Sequence, residues 1–388
     1  MNKKCIVTGA TGQTGSYMIE YLLDNTENII ICAIRRTSQS ILSNLKKVLD
    51  NPRVKLVNMD LCDAHSIDKI ITEEKPDYFL NFGGQTFVSD SWTTPALHMQ
   101  TNAISLIHIL EAVRKHCPTC RVYSSGSSEQ FGDVKYSPQN DKHPMSPRSI
   151  YAVSKCAASQ ICKVYRESYG LHVIHGILFN HESERRQDYF VTRKITKGIA
   201  RILKSIEKGE KFEPIKLGNL NAKRDWSHAE DFCVGVWMMI NQENYRKDLL
   251  KHLESSKRYD TIERPTESDK IKYLSSQITE YILSSNETHS IREFCNLALK
   301  YANIEGYWQG EGENEKFYLA DYVLETISVK PSVIIEVSKE FFRPNEVALL
   351  LGDSTPAREE LGWAPKISFD NLVSRMVSYD IDDSKKRT

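Results

Sequence analysis

The chain has 388 residues, enough for one large core or for a nucleotide-binding domain fused to a smaller one. Its 51 Lys plus Arg balance 51 Asp plus Glu, which removes any bulk electrostatic case for nucleic acid or an anionic membrane as partner. Nine scattered cysteines are not the framework of a small secreted fold, no stretch reaches a membrane-spanning length, and the apolar run Cys5 to Val7 is too short for a signal-peptide core; reduced thiols in the cytoplasm are the expectation.

In chain order, apolar, β-branched runs at residues 4–8, 28–34, 54–58, 78–82, 121–125 and 172–178 read as short buried strands. Between them, residues 16–23, 66–74, 102–116 and 151–169 carry apolar side chains at helical spacing. Such alternation predicts an α/β fold, a doubly wound Rossmann-type parallel sheet with a smaller mixed α/β C-terminal substrate domain. We expect the nucleotide-binding domain over residues 1–180, with segments near 227–242 and 281–290 returning to it, and the substrate domain over most of 181–380. The charged stretch 244–278 reads as a partly helical surface insertion, and the tail from Asp382 to Thr388 as frayed. Cys117-Pro-Thr-Cys120 has the spacing of half a zinc site or a redox pair but no second pair; ordinary loop cysteines, and no metal, are expected.

Gly9-Ala-Thr-Gly12-Gln-Thr-Gly15 follows the first strand and opens the first helix, the context that makes a glycine pattern a pyrophosphate-binding loop. The second strand ends Ala33-Ile34-Arg35-Arg36-Thr37-Ser38, where guanidiniums accommodate a 2′-phosphate, favouring NADP over NAD; the alternative is a merely solvated strand end. Tyr151-Ala-Val-Ser-Lys155 sets a phenol and an ammonium on one helix face. The ammonium stabilises the phenolate, so Tyr151 can exchange a hydroxyl proton while hydride moves to or from a nicotinamide. Upstream, Ser124-Ser-Gly-Ser-Ser-Glu129 lies at the carboxyl end of the fifth strand, where hydroxyls orient a substrate oxygen. Glu129 can abstract the acidic proton next to a newly made ketone, which plain dehydrogenation does not require and elimination does. Asn180-His-Glu-Ser-Glu-Arg185-Arg186, Thr192-Arg-Lys194, Lys223-Arg224-Asp225-Trp226 and Phe342-Arg343-Pro344 read as cation-bearing turns. Each alone is a surface ion-pairing group; brought together they suit a diphosphate, with the Trp226 indole beside a base or sugar.

Together these residues resemble the extended short-chain dehydrogenase/reductase superfamily, and within it the GDP-mannose 4,6-dehydratase family. The likeness covers nearly the whole chain. Beyond the motifs above it includes Asp60-Leu61, Gly83-Gly-Gln-Thr86, Gly176-Ile-Leu-Phe-Asn-His-Glu-Ser183, Phe190-Val-Thr-Arg-Lys-Ile195, Phe342-Arg-Pro-Asn-Glu-Val347 and Leu361-Gly-Trp-Ala-Pro365. Its most specific run is Leu217-Gly-Asn-Leu-Asn-Ala-Lys-Arg-Asp-Trp226.

The resemblance implies a lyase with Ser127, Glu129, Tyr151 and Lys155 as catalytic residues, Ser127 standing where the family has a threonine. It implies cofactor contacts from Gly9, Thr11, Gly12, Gln13, Thr14, Gly15, Arg35, Arg36, Asp60, Leu61, Phe82, Gly83, Gly84, Gln85, Thr86, Tyr151, Lys155, His181 and Arg186. The GDP-sugar would meet Thr86, Ser127, Asn180, Lys194, Arg224 and Arg343. The implied reaction is oxidation at C4, loss of water across C5 and C6 with Glu129 taking the C5 proton, and return of hydride to C6 on the same bound NADP. Thr14 replaces an aspartate of the family, Ile150 a proline and Ala152 a glycine, none of which removes a reactive group. A homo-oligomer is expected, and because Thr37-Ser-Gln-Ser shortens a loop that helps the family build a tetramer, dimer and tetramer both stay open. The alternatives are a dehydratase of another GDP-sugar such as a GDP-heptose, a nucleotide-sugar 4-epimerase or reductase, which usually lacks a counterpart of Glu129, and a non-catalytic NADP-binding regulator, which the intact Tyr151, Lys155 and Glu129 oppose.

Overall fold

A computed structural model describes residues 2–36, 42–247, 275, 277–320, 333–341 and 349–386. In chain order the elements are β1 (Lys4–Thr8), α1 (Gln13–Asn25), β2 (Ile29–Ile34), β3 (Val54–Asn58), α2 (Ala64–Glu74), β4 (Tyr78–Asn81), α3 (Pro95–Met99), α4 (Ser105–His116), β5 (Arg121–Ser125), α5 (Ile150–Tyr169) and β6 (Val173–Leu178). There follow β7 (Asn180–Glu182), α6 (Val191–Glu207), β8 (Ile215–Leu217), β9 (Lys223–Arg224), β10 (Trp226–His228) and α7 (Ala229–Ile240). The last are β11 (Ile282–Leu283), β12 (His289–Ser290), α8 (Ile291–Tyr301), β13 (Gly306–Gln309), β14 (Lys316–Leu319), β15 (Val333–Val337) and α9 (Phe369–Lys386). The described residues fall into two compact units, one drawn from Met1–Phe179, Ala229–Asn286 and Gly352–Pro365, the other from Asn180–His228, Glu287–Leu351 and Lys366–Thr388.

The first unit is built on a seven-stranded sheet in the order β3-β2-β1-β4-β5-β6-β11. Every pair in it is parallel, as the alternation of strand and helix predicts. The apolar runs of β1, β4 and β6 are buried because helices cover both faces. On one face Met18 and Leu22 of α1 pack with Phe232, Val236 and Met239 of α7. On the other, Ile67 and Ile71 of α2 pack with Ile109 and Val113 of α4 and Cys162 of α5. The chain leaves β1 toward β2 on one side while β4 lies on the other, so the strand order reverses between β1 and β4. A crevice at the carboxyl ends of these strands is where an open α/β sheet takes its ligand.

Two boundaries differ from expectation for physical reasons. The helix predicted from residue 102 begins in regular form at Ser105, after a wide π turn over Gln100–Ile104. There the Asn102 side chain is drawn to the loop after β4. The tail is helical to Lys386 rather than frayed from Asp382, and Lys204 Nζ donates to Ser384 O at 2.8 Å. Most of the charged stretch 244–278 lies outside the described residues. Cys117 and Cys120 are free and buried, with the Cys120 amide donating to Cys117 O at 2.8 Å.

His172 and His175 are buried in this unit, and burial first, then nearby cations, pulls each pKa from 6.5 down to about 3. The unfolded chain therefore binds more protons than the folded one below about pH 6.5. Stability is full above that pH and is lost as pH falls toward 3, by at most about 1.4 kcal/mol per pH unit for each histidine. Urea unfolding at about pH 7.5 and about pH 5 reads this, and equal midpoints would count against it.

The second unit centres on a mixed sheet, β13-β14-β15-β8, antiparallel except for β15 beside β8. Its core joins Ile195 and Ile199 of α6, Phe294 and Ala298 of α8, and Leu372 and Met376 of α9. Two short ladders, β7 with β10 and β9 with β12, complete it. Among the described residues of the chain no helix is long and apolar enough to cross a membrane.

Candidate active site

Gly9 adopts φ +62°, and a Cβ there would lie 2.8 Å from the backbone of Phe82 and Gly83. A Cβ on Gly15 would sit 2.2 Å from Gly9 O, so strand, turn and helix close on one another at backbone distance. Gly12 caps α1 without a side-chain hydrogen bond, and no acidic residue occupies the first turn. The positive end of α1 suits the pyrophosphate of a dinucleotide. Gly15→Ala is expected to abolish measurable dinucleotide binding while the chain still folds, because only the cradle is distorted; calorimetric titration checks it, and wild-type affinity would refute it.

Beside this loop, the Thr8 hydroxyl donates to Asn81 Oδ1 (2.6 Å) and accepts from the Gly83 amide (2.9 Å). The ends of β1 and β4 are pinned together at the switch point. A Cβ on Gly83 would meet Leu61 Cδ1 at 2.6 Å, and one on Gly84 would meet Asn102 Oδ1 at 2.7 Å, so the segment Phe82, Gly83, Gly84, Gln85 and Thr86 starts close against Leu61 and Asn102. Asp60 is exposed and accepts from the Cys62 amide at 2.8 Å, and Arg35 and Arg36 are exposed just past β2. Thr37 and Ser38 lie outside the described residues.

The Asn102 side chain both accepts from the Gln85 amide and donates to Gln85 O, each at 2.9 Å, and donates to Ser154 Oγ at 3.0 Å. It ties the loop after β4 to the helix that bears Tyr151 and Lys155. Both of these side chains are buried. Lys155 Nζ donates to Ser125 O at 2.8 Å and lies 5.9 Å from the Tyr151 ring centre. Burial pulls the Lys155 pKa down to about 8. Ser125 Oγ in turn donates to Asn81 O at 3.0 Å, which joins the ends of β4 and β5.

The turn after β5 is a capping box: Ser127 Oγ accepts from the Glu129 amide (3.3 Å) and Gln130 Oε1 accepts from the Ser127 amide (2.9 Å). Ser127 is buried and Glu129 half-buried. Accepting the Glu129 amide leaves the Ser127 hydroxyl able to donate as well. Sequence reading passed over Thr8, Asn81, Asn102 and Gln130. Their one signal is polarity at the ends of apolar segments.

In the second unit, Asn180, His181 and Glu182 pair in parallel with Trp226, Ser227 and His228. Asn180 Oδ1 is buried with no hydrogen-bond partner, which leaves an acceptor for a ligand. Glu182 accepts from Thr192 Oγ1 at 2.5 Å and lies 3.1 Å from Arg186 Nε. Burial raises its pKa, and Arg186 opposes the rise. The Arg186 guanidinium stacks 3.5 Å from the Phe190 ring centre. Lys194 Nζ lies 3.2 Å from the Phe341 ring centre, with its pKa pulled down to about 8 by burial. Arg224 is buried on β9 and donates to Lys223 O at 2.8 Å. Arg343 lies outside the described residues.

Two expectations are corrected here. Thr192, Arg193 and Lys194 form the start of α6 rather than a turn, and Arg193 is spent on a buried ion pair with Asp380 at 2.9 Å. Trp226 is only 2 % exposed and packs against Phe294 and Phe369, so its indole belongs to the core and not beside a base or sugar.

A family model described as GDP-mannose 4,6 dehydratase matches residues 6–272 and 270–376. The chain belongs to the GDP-mannose 4,6-dehydratase family. It is 35 % identical to GDP-mannose 4,6-dehydratase of Vibrio cholerae, covering 99 % of this chain and 95 % of that one. The Drosophila melanogaster relative of the same name is 34 % identical over 99 % of this chain and 88 % of its own, and the Homo sapiens relative 31 % over 97 % and 91 %. Solved structures share the fold at lower identity. A dTDP-glucose 4,6-dehydratase from Bacillus anthracis, in complex with NAD, has a TM-score of 0.70 at 16 % identity, covering 99 % of this chain and 98 % of that one. RMD from Pseudomonas aeruginosa, complexed with NADPH, has a TM-score of 0.68 at 18 % identity, covering 98 % and 100 %.

Proposed function

We propose that this chain is a lyase that dehydrates GDP-mannose to GDP-4-keto-6-deoxymannose, with NADP as its bound dinucleotide and Ser127, Glu129, Tyr151 and Lys155 as its reacting side chains. The observation that carries the reading is the hydrogen bond from Lys155 to Ser125 O, which joins the Tyr151 helix to the strand whose end bears Ser127 and Glu129. A nicotinamide held by the glycine loop would supply reversible hydride acceptance.

Tyr151 accepts the C4 hydroxyl proton, and the Lys155 ammonium stabilises the charge left on its oxygen. The Ser127 hydroxyl donates to the C4 oxygen and steadies it as a carbonyl forms. Glu129 then removes the C5 proton, made acidic by that carbonyl, and passes a proton to the hydroxyl leaving C6. The half-burial of Glu129 suits this role, since it leaves the carboxylate open to a ligand on one side.

NADP is preferred because Arg35 and Arg36 are exposed where a 2′-phosphate would lie. In this reading residues 1–180, with segments near 227–242 and 281–290, bind the dinucleotide. Most of 181–380 holds the GDP-sugar through Asn180, Lys194, Arg224 and Arg343, and the chain works as a homo-oligomer. The test is incubation of the purified chain with GDP-mannose, read by mass spectrometry of the product and of the dinucleotide that co-purifies. Loss of one water without build-up of reduced nicotinamide, and NADP in the preparation, are expected. Unchanged GDP-mannose would overturn the mannose assignment, and NAD in the preparation would overturn NADP.

A further inference from the structure

Behind the turn that carries Ser127 and Glu129 lies a polar pair that an apolar core does not need. His175 on β6 and Gln130 at the end of the turn are both 0 % exposed. Pairing of β5 with β6 sets His175 opposite Ser124. Its Nε2 is 3.0 Å from Gln130 Oε1 and its Nδ1 3.4 Å from Ser124 Oγ. The same Gln130 oxygen accepts from the Ser127 amide at 2.9 Å.

An amide oxygen can only accept, so the proton of the neutral ring sits on Nε2 and Nδ1 receives the Ser124 hydroxyl. Burial, with Lys155 and Arg166 nearby, keeps this ring neutral through ordinary pH. Gly126 shows how closely the turn lies on the pair, because a Cβ there would be 2.6 Å from His175 Nε2 and 2.9 Å from Gln130 Oε1. Two buried polar side chains cost more than two aliphatic ones unless their groups are satisfied, and a satisfied network fixes orientation.

We infer that His175 is a positioning residue that acts through Gln130: it holds the Gln130 amide oxygen on the Ser127 amide and so sets the direction of the Ser127 hydroxyl and the Glu129 carboxylate. The inference rests on the assignment of those two residues above. His175 itself touches no substrate. Its contribution is to the alignment of base and hydroxyl, so its loss slows elimination more than it weakens binding.

The test compares wild type, His175→Leu, His175→Gln, Gln130→Leu and the His175→Leu/Gln130→Leu double variant in the full chain. Turnover of GDP-mannose, reduced-nicotinamide absorbance during turnover, calorimetric binding of GDP and dinucleotide, and hydrogen exchange of the amides at 127–131 are followed. His175→Leu is expected to lower kcat by about 10- to 100-fold, with binding constants changed less than about twofold. Reduced nicotinamide then accumulates, because C4 oxidation outruns the misaligned proton removal. His175→Gln, whose amide can donate to the same oxygen, is expected to recover kcat to within about threefold of wild type. The double variant should be no slower than either single one, since both break one chain of contacts. Amides at 127–131 should exchange faster in His175→Leu while the sheet is unchanged.

Equal kcat in His175→Leu and His175→Gln, or wild-type kcat in a folded His175→Leu, would overturn the inference. If wild type itself leaves GDP-mannose intact, the proposed function has failed instead, and the exchange rates alone decide whether His175 holds the turn: unchanged protection at 127–131 rejects it. Should His175→Leu not fold, Gln130→Leu against Gln130→Glu makes the same comparison, the carboxylate retaining the acceptor, and equal kcat in that pair rejects it too.

Discussion

Glu129→Gln is expected to retain dinucleotide and GDP affinity and to lower formation of the dehydrated product by about 10²- to 10⁴-fold. The amide keeps the shape of the carboxylate, and the Glu129 backbone amide still caps onto Ser127, so the turn is preserved. What disappears is the proposed base. In the proposed mechanism oxidation at C4 depends on Tyr151 and Lys155, which the substitution leaves alone, so reduced nicotinamide should build up during the first turnover and persist. Stopped-flow absorbance with mass spectrometry of the quenched sugar reads both halves. Normal turnover would show that another group takes the proton, and loss of both product and the absorbance signal would place Glu129 in oxidation or binding.

Tyr151→Phe should lower turnover by a similar factor, about 10²- to 10⁴-fold, without the accumulation seen for Glu129→Gln, because the first proton transfer itself is blocked. Lys155→Met tests the same step from its partner. The ammonium is buried and donates to Ser125 O. Burial holds its pKa at about 8, so it is charged below that pH and neutral above it. Wild-type kcat should therefore fall as pH rises through about 8, and in Lys155→Met that limb should vanish from an already slow enzyme. A Tyr151→Phe variant with near-wild-type kcat would remove the phenol from the mechanism.

Much of this molecule is legible in its sequence. The apolar runs 4–8, 54–58 and 121–125 predict strands, and they form β1, β3 and β5 with those bounds. Their signal is local, apolar β-branched runs closed by turn residues. Glycine placement was legible for the same reason: Gly9 and Gly15 are required by backbone distances a few residues apart, 2.2 Å in the case of a Cβ on Gly15. Tyr151 and Lys155 share one helix face because four residues make about one turn.

What the local pattern could not carry was the destination of polar side chains. Arg193 and Lys194 are neighbours of equal charge, yet the first closes on Asp380, 187 residues away, while the second lies against Phe341. Trp226, set among charged residues in sequence, ends in the core against Phe294 and Phe369.

The sequence by itself thus determined the doubly wound fold, the glycine loop and the Tyr151–Lys155 pair, because each depends on residues near one another along the chain. Tertiary structure alone decided which polar groups serve the site. Asn102 reaches Gln85 and Ser154 across 17 and 52 residues, and His175 reaches Gln130 across 45. Such partners are chosen by the parallel order of the sheet, which brings the carboxyl ends of distant strands together, and no spacing along the chain records that order.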